Sequence, residues 1–88
     1  MDVKEAVQKA MTFAREVIQD TRANSILLEE IEITEDGNTW LVTISVPART
    51  SNSIAAMMSS VQAEPRDYKI VRINSSTGEV ESLKIRKL

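Results

Sequence analysis

Over residues 3–18 the apolar side chains Val3, Ala6, Val7, Ala10, Met11, Phe13, Ala14, Val17 and Ile18 return every three or four positions, with Lys4, Glu5, Lys9, Arg15 and Glu16 between them. That period predicts one amphipathic helix of about five turns. Asp2 stands where its carboxylate accepts from the amide of Glu5 while Glu5 reaches back, a capping box with Asp in the place of Ser or Thr. The helix is expected to fade over residues 21–25, with Asn24 as its C-terminal cap.

Beyond that point the period drops to two. Residues 26–34 and 39–46 are rich in β-branched side chains and are separated by Glu35-Asp36-Gly37-Asn38, whose Asp-Gly pair suits a tight turn with positive φ. In the second of these strands Trp40, Val42, Ile44 and Val46 are expected to face a core, with Leu41, Thr43 and Ser45 on the other side. In the first, Leu27, Glu29, Ile31 and Ile33 take the inward phase, and Leu28, Glu30 and Glu32 the outward one. A second hairpin follows near the end of the chain, closed by Thr77-Gly78. There Lys69, Val71 and Ile73 share the inward face with Leu83 and Ile85, and Tyr68, Ile70 and Arg72 face outward with Ser82, Lys84 and Arg86.

Residues 47–67 separate the hairpins. Ser51-Asn52-Ser53 and Glu64-Pro65-Arg66-Asp67 bracket a weakly helical run over 54–62, on which Ile54, Met57, Met58 and Val61 fall on one face. A connection of this length in a compact domain is usually functional or disordered. Its simplest role is a loop whose Met pair covers one end of the sheet. The order helix, strand, strand, long loop, strand, strand predicts a single α+β domain over 1–88, with one N-terminal helix packed on a four-stranded antiparallel β-meander.

Composition narrows the chemistry. Phe13, Trp40 and Tyr68 are the only aromatic residues in 88, so the core is aliphatic. Eleven basic against thirteen acidic residues give a net charge of -2, which does not suit a protein that neutralises phosphates, so no nucleic-acid partner is expected. The chain has neither Cys nor His, which removes disulfides, thiolate metal sites and the commonest general base. No stretch has the apolar length of a signal peptide or a membrane span, so a cytoplasmic protein with no membrane partner is expected.

Candidate catalytic groups are few. Glu29, Glu30 and Glu32 near Asp36 would need burial side by side to share acid-base work. As alternating strand residues they read as solvated carboxylates, and they lack the oxygen-ligand spacing of an EF-hand. The serines form no Gly-x-Ser-x-Gly elbow, and Gly37 and Gly78 stand in separate turns without a phosphate-cradling loop. No cofactor, metal or catalytic residue is expected.

A Tyr-led alternating strand at Tyr68 that runs into Ser76-Thr77-Gly78-Glu79-Val80 resembles the last hairpin of the PepSY domain. That hairpin reads as Tyr with alternating apolar residues, then Asp, Ala, a variable residue and Thr-Gly-Glu-Val. The resemblance extends over the chain in element order and over residues 68–80 in detail. Asn74 stands where the family has Asp, and the connection over 47–67 is longer than the family's. A small gas-vesicle accessory family is similar in its helix, Trp-containing strand, long loop and closing hairpin. Either resemblance implies an accessory module that binds or restrains a partner, without catalysis.

The outward sheet face carries the remaining expectation. Acidic residues lie on the first strand and basic ones on the last, with Leu41, Tyr68 and Ile70 between them, a semi-apolar strip of the kind found in interfaces. Leu41, Tyr68, Ile70 and Arg72 are the expected contact residues for a protein partner of unknown identity or for a second copy of the chain in a homodimer. Met57 and Met58 offer a second, adaptable contact surface. A small-molecule or enzymatic pocket between helix and sheet is the alternative; with so few polar inward residues, its ligand would be largely apolar.

Overall fold

The amphipathic pattern and the two runs of alternation fold as one layer of helix on one layer of sheet. The computed structural model describes residues 1–19, 21–48 and 66–86, with the backbone alone for Thr21 and Arg22. Helix α1 spans Val3–Val17, a 3-10 turn follows over Thr21–Ser25, and the strands are β1 Leu27–Ile33, β2 Thr39–Pro47, β3 Arg66–Asn74 and β4 Val80–Ile85. They form an antiparallel sheet in the order β1-β2-β3-β4, the expected α+β meander. The 54–62 run, with Met57 and Met58, lies outside the described residues.

Asp2 caps α1, its Oδ1 accepting from the Glu5 amide at 2.9 Å. A reciprocal bond from the Asp2 amide to the Glu5 carboxylate is not formed among the described residues, so the cap is one-sided. The C-terminus falls earlier than the pattern suggested. Ile18, not Asn24, is the cap; its backbone turns extended at φ −89 and ψ 96 while its N–H still donates to the Ala14 carbonyl at 2.8 Å. Leaving the helix there carries the Ile18 side chain into the core, and the 3-10 turn that contains Asn24 brings Ile26 in after it.

The helix face that meets the sheet is made of alanine. Ala6, Ala10 and Ala14 are fully buried, whereas Val3 and Val17 are about half exposed at 48% and 51%. Residues four apart lie one above another along a helix, so three methyl groups in line let the backbone sit close to the sheet. Val42, Ile44 and Val46 of β2 and Val71 and Ile73 of β3 are fully buried on the sheet face that carries this core. Each contributes roughly 1.5–3 kcal/mol by leaving water. Met11, Phe13, Ile31, Trp40, Val80 and Leu83 close the flanks.

Two β-bulges alter the expected phases. In β1 the register passes from Leu28 opposite Ile44 to Glu30 opposite Thr43, leaving Glu29 as the extra residue. Residues directly opposite share a face, so Leu27, expected inward, lies on the outer face opposite Ser45, and Leu28, expected outward, lies on the core face opposite Ile44. In β4 the pairing passes from Ser82 opposite Arg72 to Val80 opposite Ile73, so Glu81 is the extra residue there. Ile85 keeps the inward phase opposite Lys69 but is 72% exposed, because it sits at the end of an edge strand outside the core cluster.

Side-chain bonds define both turns. Asp36 Oδ1 accepts from the Thr34 hydroxyl at 2.6 Å and from the Asn38 amide at 2.9 Å, and Gly37 takes φ +73. These bonds, that from Thr34 first, hold the Asp36 carboxyl below its ordinary range. Asn74 Oδ1 accepts from the amides of Ser76 and Thr77 at 2.9 and 3.0 Å, so a carboxamide does what an Asp carboxylate would do at that place. Gly78 takes φ +76 beneath the Lys9 side chain, and a Cβ there would approach Lys9 Cε at 3.1 Å. The turns are tied to each other, the Ser75 amide donating to the Asn38 carbonyl at 2.9 Å and the Ser75 hydroxyl to the Gly37 carbonyl at 2.6 Å.

Ala10→Leu adds volume where the helix backbone meets the sheet and is expected to lower unfolding free energy by about 1–3 kcal/mol. Urea denaturation measures it, and an unchanged midpoint would refute the close seating. Ionised Asp36 favours the folded turn above the ordinary aspartate pKa, and that contribution is lost as pH falls through the lowered folded value. Asp36→Asn, which keeps the acceptor, is expected to retain the hairpin and to abolish this acid dependence. Asp36→Ala loses the acceptor and is expected to destabilise the turn at neutral pH, as amide hydrogen exchange across β1 and β2 would report.

Candidate interaction face

The strand register arranges the outer face in rows. Glu32, Leu41, Arg72 and Ser82 form one, and Glu30, Thr43, Ile70 and Lys84 the next. Leu27, Ser45 and Tyr68 form a third, which Arg86 extends by donating its amide to the Tyr68 carbonyl at 2.8 Å. Leu41, Tyr68, Ile70 and Arg72 therefore share one face, as alternation predicts. Leu41, Tyr68 and Ile70 are half-buried and Arg72 is exposed.

This face is less open than a solvated sheet surface. Thr43 and Ser45 are buried on it, at 3% and 0% exposure. Each lies within a hydrogen-bonded cluster built around an arginine. Arg86 Nη1 donates to Thr43 Oγ1 at 2.6 Å and to Glu30 Oε2 at 2.8 Å. Since Arg86 is anchored beyond β3 and its guanidinium reaches β2, its side chain crosses β3 over the level of Tyr68 and Ile70. Both partners of the ion pair are partly solvated, so its worth to stability is below about 1 kcal/mol.

The second cluster joins three parts of the chain. Arg66 Nε donates to Ser45 Oγ at 2.7 Å, and its Nη2 donates to the Ser45 carbonyl at 3.1 Å and the Ser25 carbonyl at 2.6 Å. Ser45 Oγ in turn donates to Glu29 Oε2 at 2.9 Å. The bulge makes this possible, for it brings Glu29, expected inward, to the same face as Glu30. Arg66, read from the sequence as part of the loop, is the first residue of β3 and in phase with Tyr68.

Signals for both departures are present in the chain. Leu27-Leu28-Glu29-Glu30 breaks strict alternation, as an inserted bulge residue does. Arg66, Tyr68, Ile70 and Arg72 continue a period of two back to Pro65, which itself disfavours helix before it.

The three glutamates weighed as catalytic groups do not form a carboxylate pair. Glu29 is engaged by Ser45, Glu30 by Arg86, and Glu32 lies one row away. Among the described residues no group of three or more acidic side chains is placed to hold a metal ion, and no helix is long and apolar enough to cross a membrane. An open groove of about 420 Å³ runs between α1 and the closing hairpin, lined by Glu5, Lys9, Phe13, Glu16, Gly78 and Val80 among others. It borders the edge of the layer where helix and sheet meet, since Phe13 and Val80 pack against the core whose centre Ala10 and Ala14 fill.

Compared with protein-family models, curated proteins and solved structures, the chain has no match.

Two serines on this face make opposite predictions. Ser45→Ala removes a hydroxyl that bridges Arg66 and Glu29, and is expected to cost about 1–3 kcal/mol in urea denaturation. The Ser82 hydroxyl is buried with no hydrogen-bond partner among the described residues. Ser82→Ala is therefore expected to be neutral or stabilising. Equal losses at the two positions would contradict the cluster.

Proposed function

We propose that the protein is a small non-enzymatic interaction or regulatory module that docks a protein partner through the outer sheet face. The observation that carries this reading is the grouping of Leu41, Tyr68, Ile70 and Arg72 on one face, with acidic β1 on one side and Lys84 of β4 on the other. Half-buried apolar side chains within a charged rim match the anatomy of a protein interface, in which the centre supplies burial and the rim orientation. The resemblance of the closing hairpin to PepSY domains agrees with such an accessory role, and the partner is either a second copy or a different protein. A small-ligand or enzymatic site has weaker support, since the groove between α1 and the closing hairpin is open to solvent and brings together no carboxylate pair or other catalytic set.

Ile70→Glu tests the reading against Ile85→Glu, which alters an exposed apolar residue on the opposite face. Binding, whether self-association or capture of a defined protein, is expected to fall at least about tenfold for Ile70→Glu and to persist for Ile85→Glu. Unchanged binding by a folded Ile70→Glu chain would remove the outer face from consideration.

A further inference from the structure

Resting on that docking face, we infer that its occupant is a second copy of this chain, packed sheet on sheet about a two-fold axis that runs along the strands. The order of charges across the face favours this occupant. Glu32, Leu41 and Arg72 lie side by side in one row across β1, β2 and β3. Neighbouring strands are about 4.8 Å apart, so Glu32 and Arg72 stand roughly 10 Å apart on either side of Leu41. Rotating a copy by two-fold symmetry about an axis along the strands lays this row over its own reverse. Arg72 of each copy then meets Glu32 of the other, and the two leucines close between them.

Other two-folds do not achieve this. An axis lying in the interface but across the strands sets β1 over β1, so that the acidic strand faces its own copy and Arg72 meets no glutamate. An axis perpendicular to the sheet pairs edges and leaves Leu41 and Ile70 uncovered. The charge pattern thus selects one isologous arrangement.

Area sets the strength. The axis lies over β2, so three strands of each copy overlap; at about 4.8 Å apart and about seven residues long at 3.3 Å each, they cover roughly 330 Å² in plan, or about 670 Å² for the two copies. Stable interfaces begin near 1,000–1,200 Å². The dimer is therefore a weak one, formed in the micromolar range or above and sensitive to salt.

Glu32 and Arg72 are exposed and make no ion pair with each other within the chain, so exchanging their charges tests the contact between copies without dismantling the fold. The measurement is mass by light scattering and sedimentation over a concentration series to about millimolar, with circular dichroism to verify folding. The native chain is expected to dimerise. Glu32→Arg alone and Arg72→Glu alone are each expected to weaken the dimer about tenfold or more, and the double exchange to restore it to within a few-fold. A native chain that stays monomeric throughout overturns the inference while leaving the docking face open to a different protein, which the Ile70→Glu comparison decides separately. A dimer insensitive to the exchanges, or one that the double exchange fails to restore, also overturns it.

Discussion

The structure depends on strand β2 being covered on both of its faces. On one side Val42, Ile44 and Val46 lie in the core beneath a helix that approaches through alanine methyl groups. On the other, Thr43 and Ser45 lie beneath arginine side chains from β3 and the end of β4. The first cover is apolar and supplies most of the stabilisation. The second is polar and works by satisfaction, since each buried hydroxyl has a charged partner whose stem also shields it from water. A central strand of an antiparallel sheet often keeps one wet face; here the wet face is confined to Leu41, Ile70 and Arg72 and the margins around them.

That division explains how a small aliphatic domain maintains an organised outer surface. Two arginines, one at the start of β3 and one just past β4, reach towards β2, and the bulge in β1 presents two consecutive glutamates to receive them. One glutamate is held directly and the other through Ser45. The polar bonds thereby connect the two hairpins across the face opposite the core, and they confine the semi-apolar strip to a defined width. A face bounded in this way can present charge in a fixed order, which is what orientation between partners requires.

Most of the architecture was legible from periodicity, because period 3.6 and period 2 follow from backbone geometry and the chain keeps to each over long runs. The helix, the four strands, their order and the inward set in β2 and β3 were all accessible in this way. What periodicity could not weigh was depth. It treated the alanines of α1 like the valines beside them, although close approach buries Ala6, Ala10 and Ala14 and leaves Val3 and Val17 half exposed. Bulges defeated it at Leu27 and Glu29, since one inserted residue reverses every phase beyond it. Ile85 shows the remaining gap: the phase of a strand residue names its side of the sheet but not whether the other layer extends over it. On the candidate face, alternation was enough to group Leu41, Tyr68, Ile70 and Arg72. It gave no indication of the bonds that cover Thr43 and Ser45, which join residues 16 to 56 positions apart.

The tie between the two turns bears on how this chain tolerates changes in length. Ser75 fastens the closing hairpin to the Gly37-Asn38 turn at the end of the sheet where β2 begins and β3 finishes. Residues 48–65 join β2 to β3 at the opposite end. The register of the central strand pair is thus fixed by a clasp far from the segment that links it. Loop-closure entropy grows only with the logarithm of length, about 0.6 kcal/mol per doubling. With the register fixed at this end, the length of chain that joins β2 to β3 at the other enters their pairing only through that logarithm.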